Sequence, residues 1–198
     1  IGKTEPETLA DLERWYDGYR FEENAETVFN PVSVGRCFDT LKFENYWFET
    51  GTPTFLVNLL KANPVNLDNV TATKDDFGVY EPENPAIIPL LEQTGYLTIL
   101  DSRMDGEIRT YRLGFPNAEV RRSFSQWLAE AYTGLDAGKG MSSFLARMAA
   151  SLRAGDVAAM LDTLSLFFAN VPNTITIRQE KYYQTIFYSV LRMLGAQI

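Results

Sequence analysis

Residues 96–114, "YLTILDSRMDGEIRTYRLG", form the one stretch of this chain that reads as paired β-structure: a strand, a turn at Asp105-Gly106 and a returning strand. On either side the periodic segments are helical. The expected fold is therefore mainly α (α+β): helical bundle segments with a small two-stranded β ribbon. The ribbon is winged-helix-like in outline, because the helix "PAIIPLLEQTG" runs directly into it.

The helical segments are clearly punctuated. "TEPETLADLERWY" has Thr4 and Glu7 at capping-box spacing and Pro6 in the first turn, and Leu9, Leu12 and Trp15/Tyr16 follow at helical intervals. Asp17-Gly18 ends that helix, since glycine takes the left-handed conformation that a helix exit often requires. "YRFEENAETVFNP" reads as two short extended pieces around a polar turn, and Asn30-Pro31 opens the next helix, "PVSVGRCFDTLK". A third helix, "TGTPTFLVNLLKAN", has Thr52 as N-cap, Pro53 in its first position and Asn63-Pro64 as its stop. The polar connector that follows, "VNLDNVTATKDDFGVYEPEN", reads as a long loop or a boundary. From Asn117 onward the pattern is helical throughout, with a break near Gly155. In the last helix Tyr183, Phe187, Val190/Leu191 and Leu194 continue one face.

An apolar fraction of 45% supports a real core, and no apolar run approaches bilayer-spanning length, so the chain is expected to be cytoplasmic and without membrane contact. It begins at Ile1 and ends mid-pattern on "LRMLGAQI", as a piece of something longer would. Histidine is absent and Cys37 is the only cysteine, which excludes a Ser-His-Asp triad, a Cys-His pair, any Cys/His zinc site and any intrachain disulfide. Cys37 reads as a small buried hydrophobe, because a reactive thiolate needs electropositive neighbours and only Arg36 is close in sequence. Net charge is unevenly spread. Residues 1–100 carry 7 basic and 17 acidic side chains, residues 101–198 carry 11 and 9. Phosphate backbone would be repelled by the first half, so nucleic-acid contact is expected only in the second.

Two short stretches resemble phosphate-binding loops and fail on spacing. "GKT" at Gly2–Thr4 has no first glycine or preceding strand, and Glu5-Pro6 follows where a helix should continue. "GLDAGKG" at Gly134–Gly140 is one residue short and has Gly140 where Ser or Thr should stand, so it reads as an interhelix loop. The helix before the ribbon carries Ile87, Ile88, Leu90 and Leu91 around most of its circumference and no basic residue, which makes it core rather than a DNA-reading helix. Nucleic-acid candidates are instead Arg103, Arg109 and Arg112 on the ribbon and Arg121 and Arg122 just after it. Asp101, Asp105, Glu107 and Glu119 stand among them, so an ordinary solvated, salt-bridged surface is the competing expectation. Glu180 opens the last helix, where a carboxylate either ligates a metal or simply favours the positive helix end.

"WYDGYRF" packs four aromatics and an arginine around one Asp-Gly step. Asp17, beside a turning glycine, is placed to accept backbone hydrogen bonds, while Trp15, Tyr16, Tyr19 and Phe21 are expected to bury area on both sides of the corner. Such a stretch suits a packed joint. Arg20 has a second possible task, since an arginine leaving such a joint can reach a nucleotide phosphate.

Five motifs in order, "WYDGYRF", "VFNPVSV", "YWFETGTPTFLVNLL", "LLEQTGYLTI" and "RLGFPNAEVRRSF", closely resemble a large bacterial family of uncharacterised proteins in which an AAA-ATPase-like domain precedes a PD-(D/E)XK nuclease-like domain. The resemblance covers nearly the whole chain and implies three portions. Residues 1–64 correspond to the helical C-terminal part of the AAA-ATPase-like region, 65–116 to a winged-helix-like connector, and 117–198 to a truncated helical lead-in to the nuclease-like domain. Trp15, Asp17, Gly18, Asn30 and Pro31 are structural parts of the first two motifs. By the same resemblance the phosphate-binding loop and the acidic strand that holds magnesium belong upstream of Ile1, so ATP and Mg are cofactors of the parent and none is expected for this portion. Glu180 matches the acidic residue some such nucleases carry on their first helix, where it acts only with downstream ligands that this chain lacks. Tyr19 and Arg20 are placed to sense the nucleotide state. The expectation is a non-catalytic connector whose partners are the remaining parts of the parent chain. The alternatives are a DNA-binding winged-helix module and a protein-interaction module.

Overall fold

The computed structural model of the chain describes residues 2–47, 54–62, 67, 70–78, 86–134, 140–169 and 180–194. It is mostly helical with a small antiparallel sheet, an α+β fold in the expected proportion. Its residues gather into two compact units, 1–123 and 124–198, and the division falls inside one helix, α6 (Ala118–Thr133). No helix among the described residues is long and apolar enough to cross a membrane.

The first unit opens with α1 (Glu5–Tyr16), where the Glu7 carboxylate reaches back to the Thr4 amide at 2.9 Å and the Thr4 hydroxyl at 2.7 Å. Lys3, from the "GKT" stretch, is ion-paired with Asp11 on this helix. Leu12 and Tyr16, four residues apart, are the buried stripe, while Leu9 faces solvent. Helix α2 (Pro31–Thr40) starts where the Asn30 side chain accepts from the amides of Val32 and Ser33 at 3.0 and 3.3 Å, with Pro31 needing no partner for its missing N–H. Its buried positions, Ser33 and Cys37, again lie four apart. Leu12, Tyr16, Cys37 and Tyr46 form one apolar cluster with Trp15, Val34 and Phe43 at its edge. Cys37 is therefore the buried hydrophobe its sequence context suggested, and burial pushes its thiol up.

Helix α3 (Thr54–Ala62) is present, although its expected signals at Thr52, Pro53, Asn63 and Pro64 lie outside the described residues, as do 135–139 of the "GLDAGKG" loop. The polar connector differs from its loop reading. It contains β1 (Val70–Thr73) and the short α4 (Lys74–Gly78). After α5 (Ile87–Gln93) come β2 (Thr98–Asp105) and β3 (Ile108–Gly114), and the sheet order is β1-β3-β2, all antiparallel. Val70 pairs with Leu113 and Thr73 with Thr110 on one side of β3, while Thr98 pairs with Gly114 and Asp105 with Ile108 on the other. The ribbon thus has a third strand. Val70 and Ala72 point inward with Thr71 exposed between them, the alternation of a half-buried strand.

In the second unit α7 (Met141–Ala154) and α8 (Val157–Ala169) turn at Gly155 and Asp156, at the expected break, with the Asp156 carboxylate accepting from the Ala159 amide at 2.9 Å. Phe144 and Phe167 stack across the pair at 4.0 Å. On α9 (Glu180–Met193) the buried residues are Ile186, Ser189 and Val190, whereas Tyr183 and Phe187 are 40% and 37% exposed. The expected face therefore turns by about one residue, and only Val190 of its named positions lies in the core.

Candidate functional site

The corner after α1 combines local backbone pairing with contacts to distant segments. Tyr19 and Val28 exchange backbone hydrogen bonds at 3.3 and 2.8 Å, which makes a one-rung bridge of the two extended pieces, and the Asn30 amide donates to the Tyr16 carbonyl at 2.8 Å. Gly18 has φ +102, and a Cβ there would meet the Pro116 carbonyl oxygen at 1.9 Å, so the backbones of "WYDGYRF" and "FPN" touch where only glycine fits. Asn117 then serves both sides. Its amide donates to the Asp17 carbonyl at 2.9 Å and its carbonyl oxygen accepts from the Val120 amide at 3.0 Å, capping α6. The Asp17 carboxylate accepts from the Thr27 hydroxyl at 3.0 Å, a side-chain donor rather than the backbone donor expected.

The aromatics divide the work. Trp15 and Tyr16 pack on Phe43, and Tyr16 also meets Tyr46. Tyr19 stacks on Trp47 at 5.3 Å, and Trp47 on Tyr96 at 6.1 Å. Burial pushes the hydroxyls of Tyr16, Tyr19 and Tyr96 upward, so none of them is poised to ionise. Phe21, expected in the corner, is 80% exposed. It stands instead among the residues that line the open cleft beside the corner. Arg20 is clipped to β2. Its amide donates to the Thr98 hydroxyl at 2.8 Å, that hydroxyl donates back to the Arg20 carbonyl at 3.0 Å, and its guanidinium donates to the Leu100 carbonyl at 2.9 Å. The Arg20 Nε is buried with no hydrogen-bond partner.

A residue grouped with the solvated surface in the sequence sits in the interior. Glu119 is fully buried, and its Oε1 accepts from the Tyr46 amide at 2.6 Å, the Trp47 amide at 3.0 Å and the Ser33 hydroxyl at 3.0 Å. Its Oε2 is buried without a partner. Burial pushes the carboxyl up, and the hydrogen bonds from Tyr46, Ser33 and Trp47 oppose that shift in part. The signal was available: Glu119 is in helical phase with Ser123 and Trp127, which are also buried. Glu119 thus joins α2, the segment after it and α6 through one carboxylate oxygen.

The five candidate arginines do not converge. The register sets Arg103 opposite Thr110 and Arg112 opposite Asp101, which puts Arg109 on the other face of the hairpin from Arg103 and Arg112. Arg112 donates to the Asp101 carboxylate at 2.8 and 2.5 Å, and Arg109 is ion-paired with Glu23. Arg121 is half-buried and Arg122 exposed on α6. Glu180 is exposed and accepts from the Gln184 amide at 2.8 Å. Among the described residues no three His, Cys, Asp or Glu side chains are grouped as a metal would need.

Beside the corner the first unit has an open cleft of about 450 Å³. Phe77 from α4 and Tyr111 from β3, in edge-to-face contact at 5.5 Å, supply aromatic walls. Glu22 and Glu23 enter from the segment after Arg20, Lys74 from the start of α4, and Glu92 from the last turn of α5. Burial pushes the Glu92 carboxyl up. This cleft was not legible from the sequence, because α4, which supplies Lys74 and Phe77, fell in the segment read as a loop.

A curated protein of Azotobacter chroococcum, described as "Uncharacterized protein in vnfD 5'region", is 34% identical to this chain over 196 residues, taking in 95% of this chain and 37% of that protein. The chain thus spans well under half the length of that relative. No family model matches the chain, and no solved structure matches it.

Proposed function

We propose that this chain is the non-catalytic connecting portion of a longer cytoplasmic bacterial protein, lying between an AAA-ATPase-like nucleotide domain and a PD-(D/E)XK nuclease-like domain, with ATP and Mg bound by the parent outside these residues. The observation that carries this reading is the clip at Arg20. One side chain and one amide tie the exit of the first helix to β2, within a corner that Gly18, Asn117 and Glu119 fasten to the start of α6. A connector must transmit displacement, and a joint with backbone contact and buried hydrogen bonds deforms less than a loop would. The ion pairs of Arg109 and Arg112, and their placement on opposite faces, favour this role over that of a DNA-binding wing.

In the full-length protein, Arg20→Ala is expected to weaken nucleotide affinity, and the loss of its guanidinium hydrogen bond to the Leu100 carbonyl to cost about 1.5 kcal/mol of stability. Nucleotide titration and thermal unfolding on the same samples separate the outcomes. A lower Tm with unchanged nucleotide affinity would mean that Arg20 only holds the corner together, and nucleotide sensing through it would be abandoned.

The exposed Tyr183 and Phe187 on α9 favour a second reading, a protein-interaction surface. Concentration-dependent self-association, lost on Phe187→Ser, is the result expected of it.

A further inference from the structure

The cleft beside the corner has an unbalanced interior. Arg109 spends its charge on Glu23, which leaves Glu22, Glu92 and Lys74 as its remaining charged lining groups among the described residues. The Glu92 side chain is half-buried and, among the described residues, makes no hydrogen bond or ion pair, so no protein group offsets the cost of its charge. Its position in the last turn of α5 adds the negative end of the helix to that cost. An anion has only Lys74 to meet it and two carboxylates against it. A divalent metal needs several converging oxygen ligands, and among the described residues no three carboxylates of the cleft are grouped to supply them. A planar organic cation satisfies both walls at once, with paired N–H donors for a carboxylate and a face for aromatic rings. The volume, about 450 Å³, lies within the range of about 300–1,000 Å³ common to small-molecule sites.

We propose that this cleft binds an organic cation, a guanidinium or amidinium on a short or flat apolar stem, with Glu92 as its anionic anchor and Phe77 and Tyr111 as its aromatic walls. Such a group comes either from a free small molecule or from an arginine side chain of another polypeptide. The site is independent of the connector reading.

The test is an amide-resolved NMR titration of the 198-residue chain with benzamidinium, with neutral benzamide, with acetyl-Gly-Arg-Gly-amide and with pyrophosphate. Saturable shifts at residues 74–77, 92–93 and 111 are expected with benzamidinium, and roughly tenfold weaker binding in Glu92→Gln. Tighter binding of the peptide than of benzamidinium assigns the natural cation to a polypeptide, and the reverse assigns it to a small molecule. Lys74→Gln, at an exposed position, is expected to tighten binding and keeps the test alive if Glu92→Gln fails to fold. Equal shifts with benzamide, shifts with pyrophosphate instead of benzamidinium, binding unchanged in Glu92→Gln or weakened in Lys74→Gln would each overturn the proposal.

Discussion

At Gly18 a methyl group would collide with the Pro116 carbonyl oxygen, at a φ of +102 that side chains rarely adopt, whereas Gly106, at φ +64, has nothing within 4 Å of an added Cβ. Gly106→Ala is therefore expected to cost about 1 kcal/mol from backbone strain alone, and Gly18→Ala about 3 kcal/mol or more, because contact between backbones has no flexible partner to give way. Urea unfolding midpoints of the two variants check the contrast. Glu119 yields a signed pH effect. Burial holds its folded-state carboxyl above the unfolded value, so between those two values the folded chain keeps a proton that the unfolded chain has lost. Its contribution to stability consequently falls as pH rises through that interval. Glu7 and Asp11 are shifted down and act in the opposite sense, but they are common to wild type and Glu119→Gln and cancel in the difference. Glu119→Gln, which keeps an acceptor for the Tyr46 and Trp47 amides, is expected to gain relative to wild type as pH rises through the carboxyl range. Glu119→Ala, which orphans two amides and the Ser33 hydroxyl, is expected to cost about 3 kcal/mol at pH 4 and less as pH rises through the carboxyl range. Parallel midpoints for wild type and Glu119→Gln from pH 4 to 7 would contradict the burial argument.

Elements with local stop and start signals were legible from the sequence, and elements stabilised by distant partners were not. Helix α2 announced itself because Asn30-Pro31 sets both its cap and its first dihedral; Asn30→Ala is expected to cost about 1 kcal/mol and Asn30→Gly only a few tenths, by thermal or urea unfolding. Strand β1 is four residues long and is held by its pairing to β3, some forty residues away, so nothing local distinguishes it from the polar loop around it. Register makes that pairing testable. Ala72 is 3% exposed and Thr71 is exposed beside it, so Ala72→Asp is expected to lose about 2 kcal/mol or more while Thr71→Asp stays within about 0.5 kcal/mol. Equal losses in the two variants would mean that β1 does not pair as described. The arginines of the hairpin were legible as residues but not as a group, since only the register shows Arg109 on the opposite face from Arg103 and Arg112.

Charge at the scale of the molecule sets what the proposed connector and the DNA-binding alternative each predict. The first unit, which contains all five candidate arginines, carries 12 basic and 21 acidic side chains, and the second carries 6 and 5. Phosphate attraction scales with the cations a protein can bring to the backbone, and each neutralised phosphate contributes about −0.9 to the slope of log affinity against log salt. With Arg109 and Arg112 committed to Glu23 and Asp101, two of the five candidates are already occupied, and the first unit carries a surplus of carboxylates. Fluorescence anisotropy with a labelled duplex is accordingly expected to show no binding at about 150 mM salt, conditions in which dedicated non-specific binders have dissociation constants of about 10⁻⁴–10⁻⁶ M. The Arg109→Gln and Arg112→Gln variants should leave that null result unchanged. Binding that weakens steeply with salt and disappears in an Arg103→Gln, Arg121→Gln, Arg122→Gln triple variant would favour the DNA-binding module over the proposed connector. The acidic surplus would then have to lie on surfaces turned away from the duplex, and the corner at Gly18 would be a device for presenting arginines rather than for transmitting a displacement.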